Sequence, residues 1–141
     1  NLMGDTDPAQ TRAANERAMA AFMEAIGGPD YAALREICHP DIVVELPYND
    51  PPVRLEGIDA YCQALEPALA IFQFKLLPEK IHPGLDPYLL IVEYTSDGIA
   101  VPTGKPYRNT YIGVFRFREG RLASLREFFN PAIATEALAA D

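Results

Sequence analysis

The chain has 141 residues, nearly half of them apolar and 10% aromatic, and it carries a formal charge of −8. That length suits one core of ordinary size and leaves no room for two, and no run of about 18 uncharged apolar residues offers a membrane span. The nine Arg and three Lys are scattered, so there is no basic stripe for a phosphate backbone, and nucleic acid is set aside as a partner along with the membrane. We expect one soluble, cytoplasmic domain spanning 1–141; the opening stretch Asn1 to Gln10 shows no basic segment followed by an apolar one, hence no export signal.

The first helix starts where Asp7 can cap it, with Pro8 at the first helical position and Gln10 placed for a capping box. Met19, Phe22, Met23 and Ile26 give it a core stripe at helical spacing. Gly27-Gly28-Pro29 stops it, and Asp30 caps a second, shorter helix carrying Tyr31, Leu34, Ile37 and Cys38. His39, at the helix end that follows, reads as a cap on free carbonyls rather than a catalytic group. A strand from about Ile42 to Tyr48 then runs into a loop rich in Asn, Asp and Pro. A third helix opens at "LEGIDAY", with Ile58, Tyr61, Cys62 and Leu65 inward and Pro67 expected to kink or shorten it. Four strands follow at about 72–82, 88–100, 106–118 and 121–129, separated by turn signals and joined as a meander. Asn130-Pro131 ends the last strand and starts a short helix that lids the domain. The order describes an α+β fold with one curved sheet, helices on one of its faces, and a cone between them.

Chemistry must come from side chains pointing into that cone. Alternation along "KPYRNTYIGVFRFREG" places Tyr107, Asn109, Tyr111, Gly113, Phe115 and Phe117 on one face. On the last strand, Leu125, Glu127 and Phe129 share a face and Arg126 points away. A carboxylate among hydrophobes loses hydration, so its pKa rises toward the working pH of an acid/base catalyst. Glu127 is accordingly either a catalytic acid/base or a buried carboxylate satisfied by neighbouring hydroxyls and amides. Asn109 is the second catalytic candidate, orienting a ligand carbonyl. Tyr48, Tyr94, Tyr111, Phe22, Leu125 and Phe129 are the candidate substrate-binding wall. The strand bearing Glu93 leaves that residue's face open, with an interface role in view.

Cys38 and Cys62 read as buried free thiols, and together with His39 and His82 they lack the paired spacing of a zinc site, so no metal is expected. No nucleophile elbow and no phosphate-cradling Gly-rich loop is present, and no cofactor is expected.

The stretches "HPDIVVELPYNDPPVRLEGIDAY" and "YRNTYIGVFRFREGRLASLREFFNP", in that order and covering nearly the whole chain, resemble SnoaL-like members of the NTF2-like superfamily, close to the phenazine-biosynthesis A/B group. The resemblance implies a conical α+β barrel, with a curved mixed or antiparallel sheet and helices on its concave face, commonly a homodimer through the sheet. It also implies a cofactor-free cyclase, isomerase or dehydratase acting on a hydrophobic small molecule, or a non-catalytic binding or dimerisation domain of the same fold. "REFFNP" resembles the phenazine group's R-E-F-x-N-P stretch, whose Glu is an acid/base candidate and falls on Glu127. That group's helical His and Ser have apolar counterparts here, around Ala64 and Ala68. The ketosteroid isomerase pattern fits worse, with Leu46, Phe22 and Gly113 at its catalytic positions, and no inward Asp-Arg-Asp set of the limonene epoxide hydrolase kind is found.

Overall fold

The computed structural model describes residues 7–141, so the expectation for the opening stretch lies outside it for residues 1–6. Helix α1 spans Pro8–Gly27, and the Asp7 carboxylate accepts from the Ala9 N–H at 3.2 Å, as its N-cap position predicts. Met19, Phe22, Met23 and Ile26 are all buried on its inner face. Helix α2, Tyr31–Ile37, is capped by Asp30 through Ala33 N–H at 3.0 Å.

Strand β1 spans Cys38–Leu46 and begins earlier than the expected Ile42. Pro40 keeps His39 out of helical backbone, and Cys38 before it is already extended and pairs with Leu122. A second difference is strand β2, Val53–Glu56, within the stretch read as loop and helix start. Four residues after Pro51-Pro52 are too few for alternation to stand out, yet Val53 to Glu56 pair antiparallel with Leu46 to Val43.

Helix α3 runs Ile58–Ile71 straight through Pro67. Pro67 and Gln63, whose carbonyl it leaves without a donor, are both exposed, so water can satisfy that carbonyl and the helix need not end. Strands β3, Phe72–Pro83, and β4, Leu89–Ala100, follow. The expected third strand of the meander divides into β5, Lys105–Tyr107, and β6, Thr110–Arg118. Strand β7, Arg121–Phe129, and helix α4, Pro131–Leu138, complete the chain.

The sheet order is β2-β1-β7-β6-β4-β3, with β5 also pairing β4. β1 and β7 are parallel and the other pairs antiparallel, so the sheet is mixed, and it does not close. Helices α1, α2 and α3 pack on one face, over a core of Phe22, Leu34, Ile42, Leu90, Val92, Tyr94, Phe115, Leu122 and Leu125, each at most 1% exposed. Helix α4 packs through Ala137 and Ala134 with Ala100, Tyr107 and Phe72 as a smaller cluster. No described helix is long and apolar enough to cross a membrane.

Candidate functional site

Register assembles the site. Tyr94 on β4 pairs with Tyr111 on β6, Val92 pairs with Gly113, and Gly113 in turn pairs with Glu127 on β7. Paired residues share a face, so Glu127 joins the helix-covered side with Tyr94, Tyr111, Leu125 and Phe129. Gly113 lies between Glu127 and β4. A Cβ there would come within 2.5 Å of the Phe115 ring and 2.9 Å of the Tyr94 hydroxyl. Because that atom is missing, the Tyr94 phenol can lie over β6 and donate to Glu127 Oε2 from two strands away.

Glu127 is partly buried, and Tyr94 is fully buried. Among the described residues no hydrogen bond reaches the other carboxylate oxygen, Oε1. Burial lifts the Glu127 carboxyl to about 6, and the Tyr94 hydrogen bond pulls against that rise by stabilising the charged form. Burial, then the charge of Glu127, hold the Tyr94 and Tyr61 phenols well above their ordinary value, so both stay protonated. Tyr61 comes from α3, where helical spacing marks it only as an inward position. Its part in the electrostatics of Glu127 is tertiary, and helical spacing carries no signal of it. The buried polar side chains are Asn15, Ser96 and Asn109, with no buried cation among the described residues.

The other candidates divide into three settings. Phe22 is core, packed edge-on against Phe115 at 6.0 Å and stacked with Tyr61 at 6.4 Å. Leu125 is also core, at 1% exposure. Tyr111 stacks flat on Tyr94 at 5.0 Å and packs against Phe129 at 5.7 Å. Its hydroxyl is engaged with Tyr107 at 2.8 Å and Ser96 at 3.1 Å. Tyr48 lies away from Glu127: it is 62% exposed and sits edge-on against Phe128 of the opposite sheet face. Tyr48, Tyr111 and Phe129 come together instead along an open groove of about 670 Å³, whose other walls include Thr110, Ile112 and Phe128.

Asn109 is buried and fully engaged within the protein. Its amide donates to Asn130 O at 2.9 Å and to the Tyr107 hydroxyl at 3.0 Å, while its carbonyl accepts from Thr110 N–H at 2.9 Å and Asn130 N–H at 3.3 Å. Both donors and both lone pairs are used within the protein, so a ligand carbonyl would reach this amide only by displacing one of these partners. It ties the start of β6 to the end of β7.

Glu93 points to the outer face, with its carboxylate 2.6 Å from His82 Nε2. Cys38 and Cys62 are free and buried, and burial, reinforced by Cys62, pushes the Cys38 thiol up to about 12, out of the reactive range. Among the described residues no group of three or more His, Cys, Asp or Glu side chains is arranged to hold a metal ion.

The SnoaL-like domain family matches residues 19–125, and the chain belongs to that family. YesE of Bacillus subtilis, an uncharacterized protein, is 30% identical over 119 residues, covering 82% of this chain and 81% of its own. An uncharacterized PhzA/B-like protein of Pseudomonas aeruginosa is 30% identical over 105 residues, 73% of this chain and 74% of its own. The crystal structure of a Bacillus subtilis isomerase candidate superimposes with a TM-score of 0.81 at 26% identity, covering 94% of this chain and 95% of that one. The expected NTF2-like α+β architecture is thus the observed one.

Proposed function

We propose that the protein is a cofactor-free cyclase, isomerase or dehydratase that works by acid/base chemistry on a hydrophobic carbonyl compound, with Glu127 as the proton carrier. The observation carrying this reading is a single inward carboxyl, lifted to about 6, whose Oε2 is held by Tyr94. A group with that pKa is populated in both protonation states near neutral pH, as proton abstraction followed by return requires. Tyr94 fixes Oε2 and so directs Oε1 to the reacting carbon. The isomerase candidate of the same fold supports this reading. Tyr111 and Phe129 supply apolar walls for the ligand, and the protein pairs through its outer sheet face, where Leu77, Ile91 and Ile112 are exposed.

Hydrogen–deuterium exchange next to the carbonyl tests the assignment without knowledge of the natural substrate. In deuterated buffer with a panel of polycyclic ketones, the wild type accelerates exchange on at least one of them and folded Glu127→Gln does not. Equal exchange by both proteins sinks the assignment. The tight stacking of Tyr94 on Tyr111 favours one other reading, a non-catalytic binding or dimerisation domain whose interior is filled by its own rings. That reading expects no exchange above background from either protein.

A further inference from the structure

Scattered along the sequence, the arginines do not all stay so in the fold. Arg118 pairs directly with Arg121 across the two-residue turn Glu119-Gly120, and Arg116 pairs with Ser124 further along the same hairpin. All three are exposed. Among the described residues none of them forms an ion pair, whereas Arg35, Arg54, Lys105, Arg108 and Arg126 each reach a carboxylate. His39 joins the group: Nη2 of Arg118 is 3.1 and 3.2 Å from its two ring nitrogens, and its Nδ1 also accepts the Asp41 N–H at 3.1 Å. The imidazole thus holds the Arg118 head in place without neutralising it. Like charges directly opposite each other in a sheet repel, and at exposed positions no packing demand keeps them there. In a chain with twenty carboxylates to draw on, three guanidiniums left without one at a single hairpin await a carboxylate from outside.

We propose that the β6–β7 hairpin is a docking surface for an acidic helix of a partner protein, with Arg116, Arg118 and Arg121 as its cationic contacts. Spacing favours a helix. The Cβ atoms of a directly opposed pair such as Arg118 and Arg121 stand about 5 Å apart, and two residues along a strand, Arg116 to Arg118, span about 7 Å. Carboxylates three and four residues apart on one helix face stand about 5–6 Å apart, so successive acids can meet successive guanidiniums. Side chains at an exposed turn do not converge on one small anion as a clamp in a cleft does. A nucleic acid fits worse still. Its phosphates continue past so small a patch, and the remainder of a chain with net charge −8 repels them. Repulsion between Arg118 and Arg121 destabilises the free protein, so removing it should move stability and partner binding in opposite directions.

The probe is a fluorescein-labelled, alanine-based helical peptide with three glutamates on one face; its control has the same composition with the glutamates spread around the helix. Fluorescence anisotropy with the full chain at low ionic strength should show tighter binding of the one-faced peptide, weakening as salt is added. The double variant Arg118→Gln, Arg121→Gln should bind it at least roughly threefold more weakly and yet unfold at a higher temperature. Arg17→Gln, at an exposed position of α1, should change neither. Equal binding of the two peptides, undiminished binding by the double variant, or no binding by wild type overturns the proposal. A lower unfolding midpoint in the double variant also overturns it, by assigning the arginines to the fold. Tighter binding of a thymidine oligonucleotide of equal charge assigns the patch to nucleic acid instead. Displacement of the peptide by an equal concentration of pyrophosphate assigns it to a small anion, and slower sedimentation of wild type than of the double variant, or the reverse, without peptide assigns it to a second copy; each of these overturns the proposal.

Discussion

Glu127 links pH to stability with a definite sign. Its folded-state carboxyl lies near 6 against an ordinary value of 4.5, so between those values the folded protein holds more proton than the unfolded one. Stability from this group is therefore fully present below about pH 4.5 and is lost as pH rises through about 6. Ionisation in the folded state costs about 2 kcal/mol at pH 8, from about 1.4 kcal/mol per pKa unit. Glu127→Gln removes that cost while keeping an acceptor for Tyr94. Denaturant unfolding should find the variant more stable than wild type at pH 8, by up to that amount, with the gap closing toward pH 4.5; a constant gap across the range would contradict the raised pKa. The Glu127 carboxylate was legible in the sequence because alternation on one strand put it beside Leu125 and Phe129. Its partner was not: Tyr94 lies two strands away, and only the empty place at Gly113 lets the two side chains meet.

Among the elements, the join between β6 and β7 rests on Asn109. Its four hydrogen bonds hold the first residues of β6 against Asn130, and the Asn130 side chain caps α4 through Ala132 N–H at 3.0 Å. Asn109→Ala leaves buried donors and acceptors without partners, each worth about 1–3 kcal/mol. It should lower the unfolding midpoint sharply and yet leave the apparent pKa of the pH–rate profile where Glu127 sets it. A shifted profile would return Asn109 to the chemistry. The sequence placed Asn109 on the inner face, as the structure does, but face alone does not say whether an amide has a lone pair to spare. β2 was hidden for a related reason, since its Val53 and Leu55 are too brief a pattern beside two prolines, and its pairing with β1 is a long-range fact. The helices α1 and α2 were readable in outline because Asp7, Pro8, Asp30 and Gly27-Gly28-Pro29 act locally.

Taken whole, the molecule has two dissimilar sheet faces. The inner one is core, while the outer one mixes exposed Leu77, Ile91 and Ile112 with an ion cluster of Glu45, Arg54, Glu56 and Arg126. Exposed apolar side chains beside a charged cluster suit a second copy of the chain. Under the proposed pairing, wild type sediments as a dimer and Ile112→Lys, which sets like charges against each other near the middle of that face, sediments as a monomer with its far-ultraviolet spectrum intact. A wild type that is monomeric at micromolar concentration refutes the pairing.

The parallel partnership of β1 with β7 has a consequence for how the protein comes into being. β7 sits between β1 and β6, so two strand edges stay open until residues 121–129 arrive, and closing them joins segments about 80 residues apart. Such non-local pairing is slow to form, and open edges invite association with other chains. The strand that closes the gap also carries Glu127. A chain ending at Gly120 therefore leaves both edges exposed and lacks Glu127, so the proposed proton carrier arrives in the same step that seals the sheet.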